Sequence, residues 1–226
     1  MFSKRSKVFR YILFSIPVAL LVAVVLARSA PRSTAPNPTI DLPLAAATGT
    51  QTAVFAGGCF WGMEAVFEHV EGVVDVVSGF SGGTAATAHY GEVSAGLTDH
   101  AESVKITYDP SKISYGQLLQ IFFSVAHDPT QVNRQGPDAG RQYRSAIFFA
   151  NPAQQKVAQA YLNQLKQSQV FNQPISTQLE PLTGFYAAES YHQNFIARNP
   201  YYPYVVVHDL PKLNQLQKQF PDLYKN

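Results

Sequence analysis

The sequence predicts an α+β fold, a two-layer sandwich in which helices cover one face of a mixed β-sheet. Short apolar runs with strand-like alternation are separated by segments with helical spacing, in the order β-α-β, β-α-β and α-β. This order is typical of a ferredoxin-like core built from split β-α-β units. A hydrophobic content of 46% in 226 residues is enough for one substantial core.

The first β-α-β unit begins with residues 52–56, an apolar run that ends at two glycines. Apolar residues then recur at helical spacing, so Cys59 is expected where a strand passes into a helix. Residues 73–80 and 103–108 are predicted to be strands. In the second of these strands, alternate apolar residues share one face, namely Val104, Ile106 and Tyr108.

The second unit begins at Ser114, which forms a capping-box pattern with Gln117 ahead of an apolar helix. Residues 127–142 carry turn-forming residues without periodicity, and loops of this length are usually functional or disordered. Three further elements follow: a strand at 145–150, a helix from Asn151-Pro152 to about Gln167, and a strand at 175–179. A short helix is expected after Glu189, and the tail 199–204 is expected to wrap the surface.

Residues 1–28 are predicted to be a signal peptide or a membrane anchor. Basic residues precede an uncharged apolar run, residues 11–27, whose length is at the lower limit for crossing a bilayer. No clear cleavage site precedes Pro31, so cleavage and retention both stay open, and a buried core helix is a weaker alternative. Residues 29–51 are predicted to be a flexible spacer, followed by a catalytic domain over residues 52–226. The basic flank predicts an extracytoplasmic domain, periplasmic or secreted.

Charge and composition argue against nucleic acid, a metal ion or a nucleotide as a partner. After the first 32 residues the chain carries 11 basic and 15 acidic residues, a mildly acidic balance that gives no support for binding nucleic acid. The six histidines are dispersed and lack the spacing of zinc ligands, so no metal is expected. The glycine-rich segment 79–83 lacks the Lys-Ser/Thr ending of a phosphate loop, so no nucleotide is expected.

Cys59 is the single cysteine of the chain, so no internal disulfide can form. It follows two glycines and precedes a predicted helix, whose backbone amides and positive end are expected to lower the pKa of its thiol. Position alone leaves two alternatives open, a reactive thiolate and an inert buried residue.

The segment from Gly57 to Gly62, Gly-Gly-Cys-Phe-Trp-Gly, with Glu64 close behind, resembles the active-site signature of the peptide methionine sulfoxide reductase A family. The resemblance covers residues 52–204, because further blocks recur in the family's order and spacing. These blocks are Tyr90 with Glu92-Val93, His100-Ala101-Glu102, Tyr108-Asp109-Pro110, Arg134-Gln135-Gly136, Asp138 with Gly140, Gln142-Tyr143-Arg144-Ser145 and Tyr191-His192-Gln193.

This resemblance implies an oxidoreductase that reduces the S epimer of methionine sulfoxide, free or in proteins, and so repairs oxidative damage. Cys59 would attack the sulfoxide sulfur, release methionine and become a sulfenic acid. Glu102 would supply the proton that the sulfoxide oxygen needs, because a carboxyl in a partly apolar pocket can hold its proton near neutral pH.

The resemblance also assigns the surroundings of the substrate. The phenols of Tyr90 and Tyr143 would hydrogen-bond the sulfoxide oxygen, and Asp138 would help to fix the site. Phe60 and Trp61 would form an apolar wall for the methyl group. Without the family, these five residues would be interpreted as core aromatics, ordinary tyrosines and a turn former.

The sequence departs from the family pattern in several respects. Asp99 occupies a position that is usually glycine, where its charge could raise the pKa of Glu102 or disturb its placement. Smaller departures near the expected substrate loops are His89, Pro137 and Ala139. The tail after Tyr204 has no resolving cysteine, which makes this a one-cysteine type that needs an external thiol, such as thioredoxin, a glutaredoxin-like protein or a small thiol. No tightly bound cofactor is implied, and a monomer is expected.

Two other classes of function remain as alternatives. In a cysteine hydrolase or acyl transferase, Cys59 would be the nucleophile, His192 or His127 the base and Asn194 the orienting group. In a noncatalytic envelope module, the aromatic pocket would only bind methionine-like side chains. A hydrolase would work without a reductant, and a binding module would keep its role after Cys59→Ser.

Overall fold

Residues 34–225, the part of the chain that this computed structural model describes, are organised around a six-stranded sheet with helices packed on it. The strands are β1 (Gln51–Gly57), β2 (Val73–Ser81), β3 (Ala101–Tyr108), β4 (Arg134–Gln135), β5 (Asp138–Ala139), β6 (Ser145–Phe149), β7 (Gln178–Pro181) and β8 (Phe185–Ala187). The α-helices are α1 (Phe60–Glu68), α2 (Tyr90–Ser94), α3 (Tyr115–Ile121), α4 (Pro152–Ser168), α5 (Phe195–Arg198) and α6 (Leu210–Gln219).

The predicted N-terminal signal or anchor, residues 1–28, lies outside the described residues. Between residues 34 and 225, no helix combines the length and hydropathy needed to cross a membrane.

The sheet has the strand order β7-β6-β1-β3-β2-β8, with β4 and β5 forming a separate two-stranded ladder. Strand β1 lies near the centre, where Phe55 is opposite Val104 of β3 on one side and Ile147 of β6 on the other. Both of these pairings are antiparallel, whereas β6 and β7 are parallel. The predicted α+β class and mixed sheet are therefore confirmed.

The two faces of β1 belong to different hydrophobic clusters, because side chains alternate along a strand. Ala53 and Phe55 join the main core, and Val54 and Ala56 belong to a smaller cluster on the opposite face. Helices α1, α3 and α4 contribute to the main core. Their buried side chains there include Met63, Val66 and Phe67 of α1, Leu118 and Leu119 of α3, and Val157, Tyr161 and Leu165 of α4. Helix burial is thus concentrated on one face of the sheet.

Most of the predicted elements agree with the structure, including the capping box at Ser114 and Gln117. The strand predicted at 175–179 is displaced to β7. The reason is that Ser176 bonds to carbonyls of the preceding long loop: its N–H and hydroxyl reach Pro129 O, and the hydroxyl also reaches Gln131 O. The apolar helix after Ser114 ends in a π-helical turn, Phe122–Ala126. Strand β8 and helix α6 were not predicted.

Residues 34–50, here called the N-terminal arm, correct the expectation of a flexible spacer. The arm lies along α3 and α4, whose side chains satisfy its backbone: Tyr161 Oη donates to Pro36 O at 2.7 Å, and Gln120 Nε2 donates to Ala35 O at 2.8 Å. The Ala35 side chain is buried in the main core. Composition alone favours flexibility in a Pro- and Ala-rich segment, but it does not show the partners that the two helices supply.

The arm also contributes to the start of α3. Asp41 accepts hydrogen bonds from the Ser114 hydroxyl and from the Gly116 backbone N–H, the latter at 2.7 Å. A carboxylate at this position stabilises the helix because it satisfies backbone donors and interacts with the positive end of the helix dipole.

We expect Asp41→Ala to lower the free energy of unfolding by about 1 to 3 kcal/mol, since it removes charge-assisted hydrogen bonds to α3. Urea denaturation at neutral pH measures this change, with Asp222→Ala as a control for an exposed aspartate. Equal stability of the Asp41→Ala variant and the unmodified chain would show that Asp41 does not stabilise the folded domain.

Candidate functional site

Cys59 is the N-cap residue of α1 and lies where β1 passes into that helix, as the sequence predicts. The preceding turn requires glycine, because Gly58 has a φ of +92° and a Cβ there would collide with the Gln135 side chain. The Trp61 backbone N–H donates a hydrogen bond to the Cys59 thiol. Only 9% of the Cys59 surface is exposed, so the thiol is largely shielded from solvent.

A cavity of about 140 Å³ lies beside this thiol. The cavity is lined by all seven residues that were predicted to be catalytic or substrate-binding, together with two others. The lining residues are Cys59, Phe60, Trp61, Tyr90, Glu102, Asp138, Tyr143, Tyr202 and Tyr204. The last two were missed, and the expectation that the tail only wraps the surface is wrong in part, because Tyr204 packs edge-on against Trp61 with ring centroids 6.2 Å apart. The sole hint in the sequence is the density of tyrosines in residues 199–204.

Glu102 lies near the start of β3, and its Oε2 accepts the Phe60 backbone N–H at 3.0 Å. Burial raises the pKa of this carboxyl from its usual 4.5 to about 8, the Phe60 hydrogen bond opposes the rise, and the charge of Asp138 adds to it. Glu102 is therefore protonated at neutral pH, with Oε1 available to carry the proton. The effect expected from Asp99 comes instead from burial and Asp138, since Asp99 pairs with Arg141 at 3.1 Å on the surface.

The expected lowering of the Cys59 pKa is wrong. Burial raises the pKa of the thiol well above its usual value. The carboxylate of Glu102, which forms above about pH 8, and that of Asp209 raise it further. The Trp61 N–H and the Lys212 ammonium act in the opposite direction but do not reverse the result. The sequence shows the helix start that favours a thiolate, but it does not show how completely the site is shielded from water.

The two phenols predicted to face the substrate remain neutral donors. Burial, with a contribution from Glu102, raises the pKa of Tyr90 to about 12 and raises that of Tyr143 as well. A third phenol is placed by the tail, since Tyr204 Oη donates to Asp138 Oδ2. This bond connects the C-terminal tail to the long loop predicted at residues 127–142.

The aromatic wall is held by contacts on both sides of Trp61. Its ring stacks on Phe195 with centroids 3.7 Å apart and planes 7° apart. Its Nε1–H donates to His192 Nδ1 at 3.1 Å, and the His192 ring also lies 5.1 Å from that of Phe60. The orientation of Trp61 is therefore fixed by a stack and a hydrogen bond.

These contacts bear on the hydrolase alternative. His192 uses Nδ1 to accept from Trp61, and His127 directs its ring nitrogens to Phe122 O and Ser145 Oγ. Over residues 34–225, neither histidine has a hydrogen bond to Cys59 of the kind that a cysteine–histidine pair requires. Among the same residues, no group of three or more His, Cys, Asp or Glu side chains could hold a metal ion.

Comparison with known proteins places these features in context. The family model described as peptide methionine sulfoxide reductase matches residues 51–224. Peptide methionine sulfoxide reductase MsrA 2 of Synechocystis sp. is 60% identical over 192 residues, which cover 84% of this chain and 90% of the relative. MsrA 2 of Mesorhizobium japonicum is 56% identical over 179 residues, covering 79% of this chain and 92% of the relative.

Two solved structures have a similar fold at 34% sequence identity. Mxr1 from Saccharomyces cerevisiae in reduced form gives a TM-score of 0.64, covering 68% of this chain and 87% of that one. Methionine sulfoxide reductase A of Corynebacterium diphtheriae gives a TM-score of 0.60, covering 77% of this chain and 90% of that one.

The raised pKa of Glu102 has a consequence for stability. The unfolded chain releases this proton near pH 4.5 and the folded chain only near pH 8, so the free energy of unfolding falls as pH rises between these values. We expect Glu102→Gln to lessen this fall by a few kcal/mol, at about 1.4 kcal/mol per unit of pKa difference. Urea denaturation at pH 5, 6, 7 and 8 measures it. Glu64, whose pKa is raised to about 7, is common to both chains, and identical pH dependence would show that Glu102 ionises normally.

Proposed function

The chain belongs to the peptide methionine sulfoxide reductase A family of oxidoreductases, and from this premise we propose that it reduces the S epimer of methionine sulfoxide, free or in proteins, through a sulfenic acid on Cys59. One observation carries the proposal. A single cavity holds the chain's one cysteine, a carboxyl that keeps its proton at neutral pH, and two neutral phenols. The reaction repairs methionine that has been oxidised.

The proposed first step transfers one oxygen atom. The sulfur of Cys59 attacks the sulfoxide sulfur while Glu102 gives its proton to the sulfoxide oxygen, which makes that oxygen a better leaving group. The bond between the substrate sulfur and its oxygen then breaks as this oxygen bonds to the Cys59 sulfur, and the bond between the two sulfurs breaks to release the thioether. The proton lost by the thiol replaces the one given by Glu102, so thiol plus sulfoxide becomes sulfenic acid plus thioether. The sulfoxide is reduced by two electrons, and the cysteine is oxidised by two.

The raised pKa values of the cavity suit this step. Tyr90 and Tyr143 stay protonated at neutral pH, so both can donate to an oxygen on which negative charge develops. Asp138, which accepts from Tyr204, fixes the tail beside these donors. In a site largely closed to water, such fixed donors stabilise charge more strongly than solvent does.

Selectivity for one epimer follows because the cavity places chemically different groups on different sides of the chiral sulfur. The proton donors bind the oxygen, and Phe60 with Trp61 provides an apolar wall for the methyl group, which leaves one direction for the rest of the substrate. The opposite epimer would have to exchange oxygen and methyl, and the buried donors would then be left unpaired. The family resemblance assigns the accepted hand as S.

The second step requires an external reductant, because the chain has no cysteine other than Cys59. One thiol displaces the sulfenic oxygen as water and forms a mixed disulfide, and a second thiol releases Cys59 as the free thiol. We propose thioredoxin or a similar dithiol protein for this role, since it supplies both thiols in one molecule.

The arrangement of the four central strands supports the ferredoxin-like interpretation of the core. Strand β3 lies between β1 and β2, and β1 lies between β3 and β6, so each β-α-β unit is split by a strand of the other. We propose this classification for the central part of the sheet, to which β7 and β8 add the two edges.

For activity, we expect Cys59→Ser to abolish reduction of a blocked S sulfoxide and Glu102→Gln to slow it by about 10²- to 10⁴-fold. The rate of the unmodified full-length chain should fall above about pH 8, where Glu102 loses its proton, and the Glu102→Gln variant should lack that fall. The measurement is steady-state reduction of separate S and R epimers with dithiothreitol. Glu180→Gln serves as a control for a carboxyl outside the cavity. Turnover of the R epimer, or an unimpaired Glu102→Gln variant, would refute the proposed mechanism.

For location, we propose export of the domain across a membrane, supported by the basic flank and apolar run of residues 1–28. A phosphatase reporter that is active only outside the cytoplasm, fused after Asn226, should be active, and the same fusion lacking residues 1–28 should be inactive. Activity of a cytoplasm-specific reporter fused at the same position of the full chain would overturn the proposal.

A further inference from the structure

A buried ion pair lies beside the first turn of α1 and has no part in the chemistry described above. Lys212 Nζ lies 3.1 Å from Asp209 Oδ1, and the two side chains are 18% and 0% exposed. Asp209 ends the π-helical turn Val205–Asp209, and Lys212 follows in α6. Turns of this kind often occur at functional sites.

The pair is in contact with the backbone of the cysteine-bearing helix. A Cβ added at Gly62 would collide with both Asp209 Oδ1 and Lys212 Nζ, so only glycine allows this approach. Gly62 lies in the first turn of α1, three residues after Cys59. The two charges therefore meet the helix at the end that carries the thiol.

A contribution to folding stability does not explain why Asp209 and Lys212 are buried as an ion pair. Asp209 Oδ2 is buried without a hydrogen-bond partner in the described chain, and an unsatisfied carboxylate oxygen is unfavourable. A buried ion pair is often no more stable than apolar residues of the same size. These observations favour a role connected with the neighbouring thiol.

We propose that Asp209 and Lys212 tune Cys59 with opposite charges: the Lys212 ammonium, held against the first turn of α1, favours the thiolate over the thiol, and the Asp209 carboxylate that holds it there disfavours the thiolate. This inference rests on the proposed function, in which the sulfur of Cys59 is the nucleophile. It deepens that function by naming the groups that tune the nucleophile.

The other ionisable groups around the thiol do not supply a positive charge that could favour the thiolate. They are Glu102 on β3, Asp138 and Tyr143 on or near the long loop, Tyr90 on α2, and Tyr204 in the tail. The phenols are neutral, and Glu102 is protonated at neutral pH. Asp209 raises the pKa of the thiol and Lys212 lowers it. The two members of the pair therefore act in opposite directions.

These opposite effects can be tested, because a pair with only a structural role would not change the reactivity of Cys59 in opposite directions. Because Cys59 is the single thiol, its alkylation by iodoacetamide in the full-length chain reports on its thiolate alone. At pH 8, below the thiol pKa, we expect alkylation to be about tenfold slower in Lys212→Met and about tenfold faster in Asp209→Asn, as for a shift of one pKa unit. The double variant should react faster than the unmodified chain but more slowly than Asp209→Asn, because Asp209 acts on the thiol more strongly than Lys212 does. Lys212→Arg should retain the unmodified rate.

Lys112→Met is the matched control, since Lys112 forms an exposed ion pair with Glu71 at 3.4 Å on another part of the surface. It should leave alkylation unchanged. Shifts of the same sign in Lys212→Met and Asp209→Asn, or no shift in either, would overturn the inference. Should the single variants unfold, as judged by circular dichroism, the folded double variant still decides it, because alkylation no faster than in the unmodified chain contradicts the inference.

The same chains tested for sulfoxide reduction separate the two proposals. Failure of the unmodified chain to reduce either epimer would refute the function, while alkylation would still measure the influence of the pair. Normal reduction with unchanged alkylation in the variants would refute the inference alone.

Discussion

The hydrogen bond from the Phe60 backbone N–H to Glu102 Oε2 joins the start of α1 to β3, and the arrangement of the cavity depends on it. It brings together two blocks of sequence 42 residues apart and sets a carboxyl beside the cysteine that caps the helix. The Phe60 amide that donates to this carboxyl lies in the first turn of α1, so it has no acceptor within the helix. The same contact therefore completes a helix end and positions an acid.

Burial then has opposite effects on the two groups that must react together. It raises the pKa of Glu102, which lets this carboxyl keep a proton to give at neutral pH. It also raises the pKa of Cys59, which makes the nucleophile less available. A dry cavity thus favours the acid and hinders the thiolate, and the second effect has to be offset locally. The Trp61 N–H and the Lys212 ammonium are the groups in place to do so.

Local sequence patterns were sufficient for most of the elements and for the position of Cys59, but not for β8 and α6. The capping box at Ser114 and the strand that precedes Gly58 follow from neighbouring residues, and neighbouring residues are visible in a sequence. The pKa of Cys59 could not be predicted because it depends on shielding by remote segments. Tyr204 was missed for the same reason, since its role at the cavity comes from contacts with Trp61 and Asp138. The family resemblance supplied the seven predicted residues, and the tail contacts needed the three-dimensional structure.

The N-terminal arm is attached largely through side chains of α3 and α4, not through the hydrogen-bond ladder of the sheet. A segment joined in this way can detach while the strands and their register persist, so we expect it to open locally before the sheet does. Its amides would exchange with solvent hydrogen through local opening, ahead of those in β1 and β3. A fragment trimmed at the start of β1 would keep the whole sheet, yet it would leave polar groups on both helices without partners and expose the core surface that Ala35 covers.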